Sequence, residues 1–122
     1  MNTVVDGAFR REDFYGRSNV IELSGALSIL RRKYTLDLTG VDEAVTGITF
    51  DSATSNRPRA RFGPRGIRAA STEVASLDVF PFNFDPYDHL SVVDCGDVWL
   101  DYDYPQKLVE KVEKNADTIL KQ

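Results

Sequence analysis

Five arginines, Arg57, Arg59, Arg61, Arg65 and Arg68, fall within twelve positions, and they are the densest chemical feature of the sequence. Guanidinium groups beside a helix N-terminus favour anions. The run therefore serves either contact with an anionic ligand or substrate, or ion pairing with carboxylates. Acids for the second role are available, because residues 78–122 hold ten acids against four lysines. Asp94 and Asp97 flank Cys95 and Gly96. A metal or base role for them needs partners; the structural alternative is that they cap loop amides at the end of a strand. His89 is the only histidine. A transition-metal centre needs several converging donors, so His89 reads as a surface-loop residue. Cys95 reads as a small buried hydrophobe. No residue is assigned a catalytic or metal-binding role on these grounds.

The elements that must position these residues follow from local pattern. Ala44 to Phe50 is short, apolar and β-branched, which predicts a buried strand. It runs into Asp51-Ser52-Ala53-Thr54-Ser55-Asn56-Arg57-Pro58, a small, polar, proline-containing loop. Gly63-Pro64 opens a helix, with Ile67, Ala70, Val74 and Leu77 as its apolar face. Residues 78–88, with four aromatics and two prolines, predict a packed surface loop. Leu90 to Val98 is a second strand. Pro105 begins a last helix with Leu108, Val109, Val112, Ala116, Ile119 and Leu120 on one face. Ala26 to Leu30 predicts a short helical turn, and residues 1–24 an extended arm that either frays or packs on a neighbouring subunit. Strand, helix, strand, helix is the order of an α/β protein with a parallel sheet. Two strands alone make a poor parallel sheet with open edges, so residues 25–122 are expected to be the front part of a larger fold.

Composition narrows the classes. The chain has 122 residues, 42% of them hydrophobic and 28% charged, with a net charge of −4. This is globular composition. A weakly acidic chain is a poor candidate for nucleic-acid binding, which depends on phosphate neutralisation. No apolar run approaches the roughly 20 residues that span a bilayer, so no membrane is expected as a partner. The single cysteine excludes an internal disulfide. Charged residues near the start argue against a secretory signal. Both fit a reducing compartment, and a cytoplasmic location is expected.

The run Gly47 to Ser71 carries Phe50-Asp51, Thr54-Ser55-Asn56-Arg57-Pro58, Ala60-Arg61-Phe62-Gly63-Pro64 and Ile67-Arg68-Ala69-Ala70-Ser71. It resembles the N-terminal signature of agmatinases, of the arginase or ureohydrolase superfamily. Leu30 to Thr35, Asp37 to Asp42 and Val92-Val93-Asp94-Cys95-Gly96-Asp97 extend the resemblance over residues 25 to about 100. It implies the N-terminal part of a three-layer α/β/α fold with a parallel sheet, about two strands and two main helices of it in this chain. It also implies manganese-dependent hydrolysis of agmatine to putrescine and urea in a complete enzyme. Thr54, Ser55, Asn56 and Arg57 would then lie on the rim of the substrate cleft, with Trp99, Tyr102 and Tyr104 near its edge as packing residues. The family holds two manganese ions with a Gly-Gly-Asp-His motif and later Asp-rich motifs, and this chain has neither Gly-Gly-Asp-His nor Asp-Ala-His. The resemblance therefore predicts that the chain alone binds no cofactor and is inactive. Its expected partners are further copies of itself or a complementary ureohydrolase chain, with a small guanidino substrate in the complete enzyme. The alternative is a non-catalytic assembly module pairing with another ureohydrolase chain; an anion-binding domain built on the arginines is a third possibility. Two departures from the family pattern stand out: Arg59 replaces a usual glycine, and Gly66 a common alanine.

Overall fold

A computed structural model describes residues 27–74 and 78–122. The predicted arm over residues 1–24 and the helix-face residue Leu77 lie outside the described residues. Three strands, β1 (Lys33–Tyr34), β2 (Glu43–Gly47) and β3 (Val92–Asp97), form one parallel sheet in the order β1-β3-β2. The central strand is buried from Val92 to Gly96, as a strand flanked on both sides should be. Val92, Val93, Cys95 and Val98 are the buried apolar core. The α/β reading with a parallel sheet holds, with one strand more than expected. β1 is only two residues long, too short to show a period in the sequence.

The ends of the strands explain their limits. At the start, Asp42 and Ser91 bond reciprocally: the Asp42 N–H donates to Ser91 Oγ at 2.8 Å, and the Ser91 N–H donates to Asp42 Oδ2 at 2.9 Å. This clamp sets the register in which Glu43 opposes Val92. At the far end the ladder is irregular between Val45 and Gly47, and Gly47 opposes Asp97. The expected strand over Ala44–Phe50 therefore stops at Gly47, and Ile48 to Phe50 leave the sheet. Gly47 is there for space. A Cβ at this position would collide with Asp97 Oδ1 and lie 2.7 Å from Pro64 Cβ. Gly96 has φ +73°, and a Cβ there would strike the Tyr34 hydroxyl, so glycine serves both the turn and the close ring.

Helix α1 (Gly63–Thr72) begins with Pro64 in its first turn. Its buried face differs from the predicted one. Ile67 is 62% exposed and Val74 39%, whereas Arg68, Ser71 and Thr72 are buried. The reason is the neighbours: Arg68 turns in to Asp94 and Asp97 of the sheet, and the 3-10 turn Ile29–Arg31 meets the rest of that face through polar atoms. The Leu30 N–H donates to Ser71 Oγ at 2.8 Å, and Arg31 Nη2 donates to the Val74 carbonyl at 3.2 Å. Helix α2 (Leu108–Leu120) follows a 3-10 turn at Pro105–Lys107. Of its predicted face, Leu108, Val112 and Ile119 are half-buried, while Val109, Ala116 and Leu120 face outward. Residues 78–88 turn without a long regular element, but Phe80 and Phe82 are exposed rather than packed. Among the described residues no helix is long and apolar enough to cross a membrane.

Candidate functional site

β2 and β3 run parallel, so their C-terminal ends open on the same edge of the sheet, where sites form in open α/β folds. Two segments emerge there: residues 48–62 after β2 and residues 98–107 after β3. The first is tied at both ends by Asp51, which is buried. Arg61 Nε donates to Asp51 Oδ1 at 2.6 Å, the Arg61 N–H donates to Oδ2 at 3.3 Å, and the Arg59 N–H adds a further bond. The Arg61 hydrogen bond outweighs the effect of burial and holds the Asp51 carboxyl below its ordinary range. The Thr54 N–H donates to the Asp51 carbonyl at 3.1 Å. The loop is thereby drawn back on itself, and Thr54, Ser55, Asn56 and Arg57 stand together on its exposed outer part.

The second segment braces the first. The Arg61 guanidinium lies over the Tyr102 ring, 5.1 Å from its centroid. The Tyr102 hydroxyl is 3.0 Å from that of Thr49 in a shared hydrogen bond. Lys107 stands over Tyr104 at 5.1 Å and Lys111 over Trp99 at 5.2 Å. These aromatics therefore do more than the expected packing: each ring carries a cation, and Trp99 remains 71% exposed.

Beneath the edge lies a charged core. Arg68 Nε donates to Asp94 Oδ2 at 2.7 Å and Nη2 to Asp94 Oδ1 at 2.9 Å. Its Nη1 donates to Asp97 Oδ1 at 2.7 Å, and Nη2 also reaches the Gly96 carbonyl at 3.0 Å. Asp94 accepts in addition from the Ile29 and Gly96 N–H groups, each at 2.8 Å. Burial pushes the Asp94 carboxyl upward, but Arg68 and the two amides outweigh it and hold the group below its ordinary value. The Asp94 bond in turn raises the Arg68 guanidinium above its own. One arginine thus joins α1, the sheet and, through Asp94, the Ile29 turn.

The five arginines do not converge on one anion. Arg61 is paired with Asp51 and Arg68 with Asp94 and Asp97, while Arg57, Arg59 and Arg65 are exposed. His89 is exposed in the turn before β3, at the opposite edge of the sheet. Cys95 is buried, and burial with the Asp94 charge pushes its thiol up, which makes it a poor nucleophile. Among the described residues no three His, Cys, Asp or Glu side chains form a group able to hold a metal. With Asp94 and Asp97 bound to Arg68, the described residues do not fit a pair of manganese ions. Reading the sequence missed the Asp51–Arg61–Tyr102–Thr49 tie. Only the opposite charges of Asp51 and Arg61 across the loop hinted at it.

Arg59 sits at φ 153°, ψ −2°, a region that favours glycine. Such strain costs about 1–3 kcal/mol, partly offset in an Arg59→Gly variant by about 0.5–1 kcal/mol of glycine entropy. Arg59→Gly should raise unfolding stability by about 1 kcal/mol. Gly66 has open space where a Cβ would stand, and Gly66→Ala within α1 should add about 0.5–1 kcal/mol. Urea denaturation of both variants checks this; an Arg59→Gly variant less stable than the parent would remove the strain argument.

A family model described as "Arginase family" matches residues 41–122. The agmatinase of Chromobacterium violaceum is 46% identical over 115 residues, covering 94% of this chain and 36% of that protein. The agmatinase of Cronobacter sakazakii is 44% identical over 77 residues, covering 62% of this chain and 25% of that protein. A crystal structure of a hypothetical agmatinase from Burkholderia thailandensis superposes with a TM-score of 0.86 at 46% identity, covering 95% of this chain and 37% of that one. The chain thus spans about a third or less of the length of these relatives.

Proposed function

The chain belongs to the arginase family, and from that premise we propose that it is the N-terminal portion of an agmatinase-like ureohydrolase. In the complete enzyme the reaction would be hydrolysis of the guanidino group of agmatine, giving putrescine and urea. The observation that carries this reading is the loop held by Asp51 and Arg61, which presents Thr54, Ser55, Asn56 and Arg57 at the C-terminal edge of the sheet. These four residues form part of the rim of the substrate cleft. Similarity to agmatinases over almost the whole chain supports the assignment.

The family's manganese pair would supply an activated hydroxide. Since the described residues do not fit that pair, its ligands belong to the rest of a complete enzyme, in the cytoplasm. This chain contributes the rim and the charged frame that positions it. A complementary ureohydrolase chain or further copies of this one are the partners in such an assembly. The purified chain should release no urea from agmatine with manganese present, and isothermal titration should show no stoichiometric manganese binding. Urea above the protein-free blank would overturn the division of labour.

A further inference from the structure

We propose that Tyr102 is the positioning residue that fixes the rim loop, acting through Arg61 and Thr49. The inference rests on the reading of residues 54–57 as a substrate rim. Tyr102 belongs to the segment after β3, whereas both of its partners belong to the segment after β2. Its ring lies under the Arg61 guanidinium at 5.1 Å, and its hydroxyl meets Thr49 at 3.0 Å. Thr49 is two residues before Asp51, and Arg61 is the residue that Asp51 holds. The tyrosine therefore touches the loop near its entry and at its exit, through groups other than the Asp51 carboxylate. Asp51 sets how far the loop closes; Tyr102 sets where the closed loop lies relative to the neighbouring strand.

The geometry separates two contributions. A planar guanidinium between a carboxylate and an aromatic face is held in orientation as well as in place. The hydroxyl bond is directional and short enough to hold the ring against sliding. Tyr102→Phe removes only the second contribution, and Tyr102→Leu removes both. Tyr102 is 44% exposed and outside the core, so neither change should affect the fold as a whole.

Hydrogen exchange over residues 52–60 in the 122-residue chain tests this, with the urea midpoint measured in parallel. Exchange in that segment should rise about five- to ten-fold in Tyr102→Leu and by a smaller factor in Tyr102→Phe, at an unchanged midpoint. In a hybrid agmatinase that carries this chain and turns over, Tyr102→Leu should raise KM several-fold and leave kcat within about two-fold. Unchanged exchange, a rise spread over the whole chain, or an unchanged KM in an active hybrid would each overturn the proposal. A hybrid with no turnover at all would count against the functional reading instead, and the exchange result would still decide the role of Tyr102.

Discussion

Arg68→Ala should destabilise the chain by about 3–5 kcal/mol, the usual result of leaving a buried carboxylate without its cation. That is a large part of the roughly 5–15 kcal/mol that holds a domain together. The size follows from the burial of Asp94, whose side chain is fully enclosed and bonded by two guanidinium nitrogens. Asp97 would lose its partner as well, but it is partly solvated and contributes less. The effect has a signature in pH. In the parent, Asp94 has a folded pKa below its unfolded one, so its contribution is complete above about pH 5 and is lost as pH falls through the folded value. Without Arg68, burial acts with far less opposition and pushes the Asp94 carboxyl up. Stability of the variant should then rise as pH falls from 7 towards 5, where the parent is flat. Arg68→Ala combined with Asp94→Asn removes the buried charge and should recover a substantial part of the loss. Unfolding curves at pH 5 and pH 7 for the three proteins measure this. A loss under about 1 kcal/mol in Arg68→Ala would place the pair with ordinary surface ion pairs.

What could be read in the sequence was what apolar pattern and turn chemistry encode. The front of the run Ala44 to Phe50 forms a strand because it is short, apolar and β-branched, and Gly63-Pro64 starts a helix because proline suits a first turn. The loop from Asp51 to Pro58 follows from small polar residues between the two. The buried side of α1 could not be read this way. A hydropathy pattern counts Ile67 and Val74 as the inner face, but the helix meets polar partners: Arg68 turns in to Asp94 and Asp97 of the sheet, and Ser71 accepts from the Leu30 amide, with Thr72 buried next to it. The outward turn of Val109 and Leu120 on α2 has the same origin: position along a helix tells which residues share a face, not which face finds a partner among the described residues. At the site, the exposed stretch Thr54 to Arg57 was visible from its composition and from its resemblance to agmatinases. The brace beneath it was not, because Thr49 and Tyr102 are 53 positions apart and neither carries a local signal of pairing. Arg59 is the opposite case. The usual glycine of the family pointed to an unusual backbone at that position, and φ 153° is what the arginine adopts there.

The second large effect is gain of turnover on completion. On the proposed reading, a rim formed by Thr54 to Arg57 works only with catalytic groups opposite it, so the chain should change from inactive to active when the rest of an agmatinase is supplied. The Chromobacterium violaceum agmatinase is a suitable donor, since 115 of its residues align with this chain at 46% identity. Replacing that aligned stretch by this chain keeps the donor's remaining residues intact. Arg59 is the residue most apt to shift the loop, and misplacement of about 1 Å can cost on the order of 100-fold in rate. The hybrid should therefore release urea from agmatine with manganese at a kcat/KM within about 100-fold of the donor enzyme, and Arg59→Gly should narrow the gap. Urea release by this hybrid is the most direct test of the central claim. Turnover of agmatine by the hybrid, with none expected from the chain alone, is the predicted result. A hybrid that unfolds cooperatively and binds manganese like the donor, yet forms no urea, would contradict the assignment of this chain as the rim-bearing part of an agmatinase-like enzyme.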